Sequence, residues 1–597
     1  MLSLECVRLD GAFLPDEQCS NRKSSSQAGA LQTNLASLRF GFEEEGRALR
    51  WEQIRCTLCR MNCCRIPLRV VTAVVCALLI GTDAGFAQLF DEQYDHWPEN
   101  LTIRGTIVAG TDLAAKTIKP FLEEGAKTTL VHGREATGLL TDLQPTIDVV
   151  GDKITVLPFT ADIAERVADV ASVSDVLILL RIDDGAMMER MIEPVRKVIA
   201  RGGVVVCDGS PAIVEMLGAV KPDGQPGLGI FPDCVLASPF VGSEEAKGKL
   251  LGVLATHSRK VGIGIAPRTT VVLSGRKLQA IGEGAVATLL MANEHLPIRM
   301  QSINPLRSQR QLPEEFLIDL TEWRRDAIDR TLPPFPPEVP GIPVVENGTL
   351  IIVGGGGMPD GLMDQFVELA GGKEAARLVF IPCDESEEIS GTPGTVSEWQ
   401  RSGVAHATFL HTKDRNRANT DEAFLTPIKE ATGIWFGGGR QWNLADSYYG
   451  TKAHQLMKEV LQRGGVIGGS SAGASIQARY LARATPINNI RIMAPGYERG
   501  GLGFLSGVAI DQHFSQRGRQ KDMTQLMARH PQLLGIGIDE QTALIVKGSS
   551  AEIVGAGRVH FYDRRLPVFP DRPDSIALPA GSRYDLAERS VLQDASQ

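Results

Sequence analysis

The chain has 597 residues, of which 43% are hydrophobic and 22% are charged, and its formal net charge is −9 at pH 7. A chain of this length is too long for one hydrophobic core and predicts two or three domains. The acidic balance argues against nucleic acid or an anionic membrane surface as a partner, and it is compatible with a polycationic substrate.

Most of the cysteines lie near the start of the chain, at Cys6, Cys19, Cys56, Cys59, Cys63, Cys64 and Cys76. Cys56 and Cys59 have the spacing of half a zinc site, but no second pair follows at a matching distance. The remaining three, Cys207, Cys234 and Cys383, are an odd number and do not predict a disulfide framework.

Residues 61–87 have the pattern of a secretory signal peptide. Two arginines, Arg65 and Arg69, precede an apolar run over 70–80, and small residues follow up to Ala87. The run is too short to cross a bilayer comfortably. Because a signal peptide begins a protein, we expect residues 1–60 to be a non-native or disordered extension. The mature protein is then exported to the periplasm or the medium, without a membrane span.

Strand-like apolar runs alternate with helical stretches in two parts of the chain. The pattern predicts one α/β domain over 101–300 and a second over 347–570, each with a parallel sheet covered by helices on both faces. The Pro-rich segment "TLPPFPPEVPGIP" predicts a linker over 301–346. Residues 571–597 are predicted to be a peripheral tail.

The two halves share local signatures at a nearly constant distance along the chain. "GLGIFPDCVLASPF" (227–240) pairs with "GLGFLSGVAIDQHF" (501–514), and "GIGIAPRTTVVL" (262–273) pairs with "GIGIDEQTALIV" (535–546). This indicates an internal duplication. Polar residues of the second copy are replaced in the first, at Gly209, Pro239, Ala266 and Pro267. The first half is therefore predicted to be a degenerate copy.

The second half carries a candidate nucleophile at "GSSAG" (469–473), which fits the G-x-S-x-G turn between a strand and a helix. A tight turn that packs a helix on a sheet is the structural alternative. His513 in "DQHFSQRGR" is a candidate base, and either Asp539 or Glu540, at the end of an apolar strand, could orient it.

Together "FGGGRQ", "GGSSAGAS", "DQHFSQRGR" and "GIGIDEQTAL" resemble the cyanophycinase branch of peptidase family S51, which also contains dipeptidase E. The resemblance implies two class I glutamine-amidotransferase-like (flavodoxin-like) parallel-sheet α/β sandwich domains in tandem. It implies that Ser471 is the nucleophile, His513 the base and Glu540 the acid, with oxyanion contacts at Gly438 and Ala472. The substrate-binding positions that it implies are Gln441, Asp511, Gln512, Arg517 and Arg519.

The chain departs from the family pattern at Arg440, at Asp522 and in "IPCDES" (381–386), which affects the expected substrate. The resemblance implies hydrolysis of cyanophycin or another β-aspartyl peptide, a poly-aspartate backbone with arginine on each β-carboxyl in the case of cyanophycin. A non-hydrolytic amidotransferase-like binding protein and an interaction protein with a decayed site are the alternatives. No metal or organic cofactor is expected. We expect the halves to pack through an apolar face as an intramolecular pseudo-dimer.

Export is predicted to remove the chain through Ala87, so that the mature protein begins at Gln88. N-terminal sequencing of protein secreted by a native-like host measures this. Residues 1–60 on the exported protein would contradict both the signal peptide and the expected start.

Overall fold

Strands and helices alternate along the N-terminal half, as the apolar runs predict. The computed structural model describes residues 97–98, 101–123, 126–160, 164–305, 317–487 and 491–596, which lie in one compact unit, Leu89–Gln597. The strands of this half are β1 (Thr106–Gly110), β2 (Thr128–His132), β3 (Ile154–Pro158), β4 (Val176–Ile182), β5 (Val204–Gly209), β6 (Gly218–Val220), β7 (Phe231–Ala237), β8 (Val261–Ile265), β9 (Thr269–Ser274), β10 (Lys277–Gly282), β11 (Val286–Leu290), β12 (Arg299–Ile303) and β13 (Ile318–Asp319). Its helices are α1 (Ala115–Glu123), α2 (Thr137–Val150), α3 (Ala164–Ser172), α4 (Gly185–Ala200), α5 (Pro211–Met216), α6 (Glu244–Thr256) and α7 (Leu320–Asp329).

The C-terminal half repeats this alternation. Its strands are β14 (Val345–Val353), β15 (Arg377–Cys383), β16 (His406–Phe409), β17 (Gly433–Gly439), β18 (Val466–Ser470), β19 (Ala478–Tyr480), β20 (Leu505–Gln512), β21 (Leu534–Ile538), β22 (Thr542–Gly548), β23 (Ser550–Gly555), β24 (Arg558–Asp563), β25 (Ile576–Pro579), β26 (Arg583–Asp585) and β27 (Ser590–Gln593). Its helices are α8 (Leu362–Leu369), α9 (Gly372–Ala375), α10 (Gly394–Arg401), α11 (Arg415–Thr420), α12 (Glu422–Glu430), α13 (Trp442–Tyr448), α14 (Lys452–Gln462), α15 (Ala472–Ser475) and α16 (Gln520–Arg529).

Each half contains one large and one small sheet. In the N-terminal half the orders are β3-β2-β4-β5-β1-β9-β10-β13 and β6-β7-β8-β11-β12. In the C-terminal half they are β16-β15-β17-β18-β14-β22-β23-β26-β27 and β19-β20-β21-β24-β25. Each strand of the N-terminal half therefore has a counterpart at the same place in a sheet of the C-terminal half, and the number of the counterpart is higher by 13: β1 corresponds to β14, and β13 to β26. Two sheets with the same strand order in both halves support the predicted duplication.

The packing between strands and helices is also repeated. Gly264 in β8 lies under the ring of Phe240, so that a Cβ there would come within 2.4 Å of it. Gly537 in β21 lies under Phe514 in the same way, with a Cβ distance of 2.5 Å. Because an aromatic ring can pack this closely only on a residue without a side chain, each glycine fixes its ring on the small sheet.

The sheets are mixed, and the prediction of wholly parallel sheets is wrong. In the larger sheets the strands from β3 to β1 and from β16 to β14 are parallel, but β1 pairs antiparallel with β9, and β14 with β22. The runs "GIGIAPRTTVVL" and "GIGIDEQTALIV" each form two strands that belong to different sheets. The apolar pattern of each run does not show the turn between its two strands. At that turn the chain changes direction and passes to the other sheet.

The predicted linker over 301–346 contains two elements of the N-terminal half. β13 pairs with β10, and α7 is buried along its first nine residues. The predicted tail from 571 is likewise structured, because β25 joins the small sheet and β26 joins the large sheet of the C-terminal half. β13 and β26 occupy equivalent places in the two larger sheets. The predicted linker therefore belongs in part to the N-terminal half, and the predicted tail belongs in part to the C-terminal half.

The predicted extension 1–60 and the predicted signal peptide 61–87 lie outside the described residues. Across the part of the chain that the structure describes, each helix is too short or too polar to cross a membrane.

Candidate active site

Ser471 lies in a strained turn between β18 and α15, at the carboxyl edge of the larger sheet. Its backbone has φ 57° and ψ −112°, a region that L-residues rarely adopt. The turn is closed by glycines, since a Cβ at Gly469 would lie 2.3 Å from the Gly473 carbonyl oxygen, and one at Gly473 would lie 2.2 Å from that of Phe436. The small residues of "GSSAG" therefore allow a turn that presents the serine hydroxyl, as expected for a nucleophile.

A chain of hydrogen bonds connects three of the predicted residues. Ser471 Oγ lies 2.8 Å from His513 Nε2, and His513 Nδ1 lies 2.6 Å from Glu540 Oε1. His513 directly follows β20, and Glu540 lies in the turn between β21 and β22. The serine thus comes from the large sheet, and its two partners come from the ends of strands in the small sheet. With the Nδ1 proton donated to Glu540, Nε2 is free to accept the serine proton.

The surroundings of His513 favour its neutral form. Burial lowers the pKa of the imidazole, and the positive charges of Arg517 and Arg519 lower it further, against the opposing effect of Glu540. The pKa consequently lies below the ordinary value of 6.5. A histidine that is neutral at neutral pH can act as a general base there.

Asp539, the rival acid, has a different role. Its Oδ1 accepts the amide of Ser515 at 3.0 Å and its Oδ2 accepts the amide of Arg558 at 3.1 Å, while His560 Nε2 lies 3.5 Å away. Burial raises the pKa of Asp539, but the hydrogen bonds from His560 and Ser515 outweigh it and bring the pKa to about 2. Asp539 therefore holds the turn, and Glu540 is the carboxylate that meets His513.

The glycine-rich loop after β14, at 354–357, was not assigned a function from the sequence. A Cβ at Gly355 would lie 2.4 Å from the ring of His513, and one at Gly356 would lie 2.4 Å from Glu540 Oε2. The Gly354 carbonyl also accepts the amide of His513 at 2.8 Å. The loop thus forms the wall that fixes the base and its acid. The four consecutive glycines after an apolar strand were the available signal.

The two predicted oxyanion positions lie beside the serine. Ala472 is the first residue of α15, where the backbone N–H has no carbonyl of its own helix to bond. At Gly438, near the end of β17, a Cβ would lie 3.5 Å from Cβ of Ser471. Two backbone segments therefore lie next to the serine, as an oxyanion hole requires.

The predicted substrate-binding residues divide into exposed and buried ones. Arg517 is exposed, and its charge acts on His513. Asp511 and Gln512 are buried together with Arg519, whose Nη1 donates to Asp511 Oδ1 at 2.8 Å and to the Gln512 carbonyl at 2.6 Å. Gln441 is also buried and donates to the Ala482 carbonyl at 2.7 Å. The expected clamp of two arginines is not displayed, because the Arg519 side chain is only 7% exposed.

The departures from the family pattern are part of internal contacts. Asp522 accepts Arg483 Nη2 at 2.5 Å, and Arg483 Nε reaches Asp511 Oδ2 at 2.9 Å. Arg440 Nη2 donates to the Thr485 carbonyl at 3.3 Å, and Cys383 of "IPCDES" donates its thiol to the Arg440 carbonyl at 3.0 Å. The acidic residues that follow, Asp384, Glu385, Glu387 and Glu388, are exposed. Among the described residues no group of three or more His, Cys, Asp or Glu side chains could hold a metal ion.

Comparison with known proteins points to the same region. Residues 349–554 match the family model of peptidase family S51. The cyanophycinase of Geminocystis herdmanii is 28% identical over 204 residues, which cover 34% of this chain and 74% of that protein. The cyanophycinase of Thermosynechococcus vestitus is 29% identical over 206 residues, covering 34% of this chain and 63% of that protein. A solved peptidase from an acI-B1 Actinobacterium is 26% identical, with a TM-score of 0.30, and the match covers 40% of this chain and 97% of that one.

Gly356→Ala is expected to displace Glu540 and to slow the reaction of Ser471 about 10²-fold, since a misplacement of about 1 Å has effects of this size. The rate constant for labelling of Ser471 by a fluorophosphonate, followed by intact mass, measures it without any choice of substrate. Gly361→Ala is the matched control, because Gly361 has a similar φ of 72° with open space around it. Equal rates for the two variants would contradict the proposed role of the loop.

The lowered pKa of His513 predicts that the acidic limb of the labelling rate, where the imidazole becomes protonated, lies at lower pH than the ordinary histidine value of 6.5 would place it. Arg517→Ala removes a charge that lowers this pKa, so the acidic limb of the pH profile is expected to move to higher pH. Arg529→Ala, a change at an exposed arginine of α16, serves as the control. If the acidic limb of the pH profile does not move in Arg517→Ala, the predicted effect of Arg517 on the pKa of His513 is contradicted.

Proposed function

Since residues 349–554 belong to peptidase family S51, the chain is a serine-type peptidase, and we propose that it hydrolyses cyanophycin or a related β-aspartyl peptide through Ser471, His513 and Glu540. The observation that carries the mechanism is the pair of hydrogen bonds from Ser471 to His513 and from His513 to Glu540. The same three side chains are those that the family resemblance implies.

In the proposed mechanism His513 Nε2 takes the hydroxyl proton as Ser471 Oγ attacks the scissile carbonyl. Glu540 stabilises the imidazolium that forms, and the amides of Gly438 and Ala472 stabilise the oxyanion. The imidazolium then gives its proton to the leaving amine, and an acyl-enzyme remains. Water, deprotonated by His513, hydrolyses the ester and restores the serine.

The proposal on the substrate rests on chemistry around this site and on the printed names of the relatives. The relatives quoted above are cyanophycinases. Arg517 is exposed beside the triad and can meet a substrate carboxylate, while the exposed carboxylates of Asp384, Glu385 and Glu388 suit guanidinium groups. A substrate that carries both aspartate and arginine matches these opposite charges.

The N-terminal half is proposed to be a non-catalytic copy of the peptidase fold. Its sheets have the strand order of the C-terminal half. At the places of Ser471, His513 and Glu540 it has Gly209, Pro239 and Pro267, none of which can act as nucleophile, base or acid. Export after cleavage near Ala87 remains a proposal, supported by the sequence pattern of 61–87.

Ser471→Ala and His513→Ala are each expected to lower kcat on purified cyanophycin about 10⁴–10⁶-fold, because the triad acts as a unit. Glu540→Gln is expected to cost less than either, and Asp539→Asn less again, since Asp539 does not contact His513. Release of β-Asp-Arg dipeptide measures these rates.

If Asp539→Asn lowers kcat strongly and Glu540→Gln lowers it only slightly, the triad acid is wrongly assigned. A wild-type protein whose Ser471 reacts with a fluorophosphonate, but which releases nothing from cyanophycin, would overturn the substrate and leave the mechanism. β-Asp dipeptides and ordinary α-peptides, assayed in parallel, then identify the peptide class.

A further inference from the structure

The two halves of the chain meet at a buried cluster of charges. Arg276, in the turn between β9 and β10 of the N-terminal half, donates through Nη1 to Asp446 Oδ2 at 2.6 Å. Asp446 belongs to α13 of the C-terminal half, and its Oδ1 accepts Arg325 Nη1 of α7 at 2.5 Å. The side chains of Arg276 and Asp446 are 8% and 4% exposed. These contacts between the halves are ionic, in addition to any apolar packing.

Helix α7 is built to connect the halves. It is polar in sequence, yet residues 320–328 are all buried. Arg324 pairs with Asp233 of the N-terminal half at 2.6 Å, whereas Arg325 pairs with Asp446 of the C-terminal half. A helix that is polar all round and buried needs partners on both sides. The two adjacent arginines supply them in opposite directions.

The two close ion pairs that the structure describes for Asp446 are made by Arg276 and Arg325, while Tyr497 of the C-terminal half donates its hydroxyl to Asp446 Oδ2 at 3.1 Å. Burial raises the pKa of this carboxyl, but the guanidinium groups of Arg276 and Arg325, together with the smaller effect of Lys413 in the C-terminal half, bring it below its ordinary value. Both arginines lie outside residues 345–593. Since removing one partner of a buried ion pair is strongly destabilising, the position of α13 is coupled to the other half.

Helix α13 begins directly after the segment that approaches the nucleophile. The segment 438–441, here called the oxyanion loop, runs from the end of β17 into α13, and the amide of Asn443 bonds the Arg440 carbonyl at 3.0 Å. The guanidinium of Arg276 also lies over the ring of Trp442, the first residue of α13, at 4.3 Å from its centroid. Arg276 thus holds α13 both at its start and one turn further on.

We infer that the N-terminal half positions the oxyanion loop of the catalytic half, with Arg276 and Arg325 acting through Trp442 and Asp446. Both arginines are positioning residues, since neither contacts Ser471. The inference rests on the serine mechanism proposed above, but not on the identity of the substrate. It gives a half without a nucleophile a role in the reaction of the other half.

The test uses Arg276→Lys and Asp446→Asn in the full-length chain, with Arg324→Lys as the matched control. Arg324 is buried to a similar degree, with a side chain 4% exposed, and it pairs with Asp233 instead of Asp446. Labelling of Ser471 by a fluorophosphonate yields two quantities for each variant: a second-order rate constant, and the fraction of molecules that is labelled in the end. A displaced oxyanion donor lowers the first, and loss of folded protein lowers the second.

We expect Arg276→Lys and Asp446→Asn to lower the rate constant about 10-fold at a full labelled fraction, less than the 10²–10³-fold effect of deleting an oxyanion donor outright. Arg324→Lys is expected to keep the wild-type rate constant. The double variant Arg276→Lys with Asp446→Glu, in which the longer acid restores the reach that lysine loses, is expected to recover most of the rate.

Three results overturn the inference. The first is an unchanged rate constant with a smaller labelled fraction, which is a purely structural effect. The second is an equal loss of rate in Arg324→Lys. The third is a wild type that the fluorophosphonate does not label, which removes the serine mechanism as well. A labelled wild type that leaves cyanophycin intact overturns only the proposed substrate, and the rate comparison stands.

Discussion

One buried carboxylate, that of Asp446, links the two halves by two ion pairs. Its two oxygens are divided between Arg276 of the N-terminal half and Arg325 of α7. A buried ion pair contributes little net stability compared with apolar packing, but it strongly disfavours arrangements in which one partner is left alone. The contact therefore selects one orientation of the halves. The chain from β13 through α7 and the helix α13 after the oxyanion loop both fit this one orientation of the halves.

The two halves keep the same scaffold while their chemistry differs. Both small sheets hold an aromatic ring against a glycine, Phe240 on Gly264 and Phe514 on Gly537. Such contacts are needed for folding, since a single added Cβ would collide with the ring. The side chains proposed to perform chemistry on the second scaffold have no counterpart on the first, where Pro239 stands at the place of His513. Folding and catalysis therefore place separate demands on this sequence, and the first half retains the features needed for folding.

The sequence predicted the central strands of the larger sheets and pointed to Ser471 and His513, because apolar runs and the G-x-S-x-G spacing are local signals, while the choice of Glu540 over Asp539 came from the family resemblance. It did not predict α7, since "LTEWRRDAID" has the composition of a solvated segment, and its partners Asp233 and Asp446 lie far along the chain. The roles of Gly355 and Gly356 were missed for the same reason. A glycine shows in a sequence that a close approach is allowed, but not which side chain makes it.

The charges around Asp511 explain why the expected pair of substrate-binding arginines is not displayed. Asp511 is fully buried between Arg483 and Arg519, and Asp522 also binds Arg483. The buried groups Asp511, Arg483 and Arg519 and the half-exposed Asp522 balance one another in charge, so that Arg519 is satisfied without a substrate. An arginine near the place of Asp522, as the family pattern has it, would leave this cluster with excess positive charge to offer a ligand. Because Asp522 removes that excess, the exposed Arg517 is the arginine of the predicted pair that is left for the proposed contact with a substrate carboxylate.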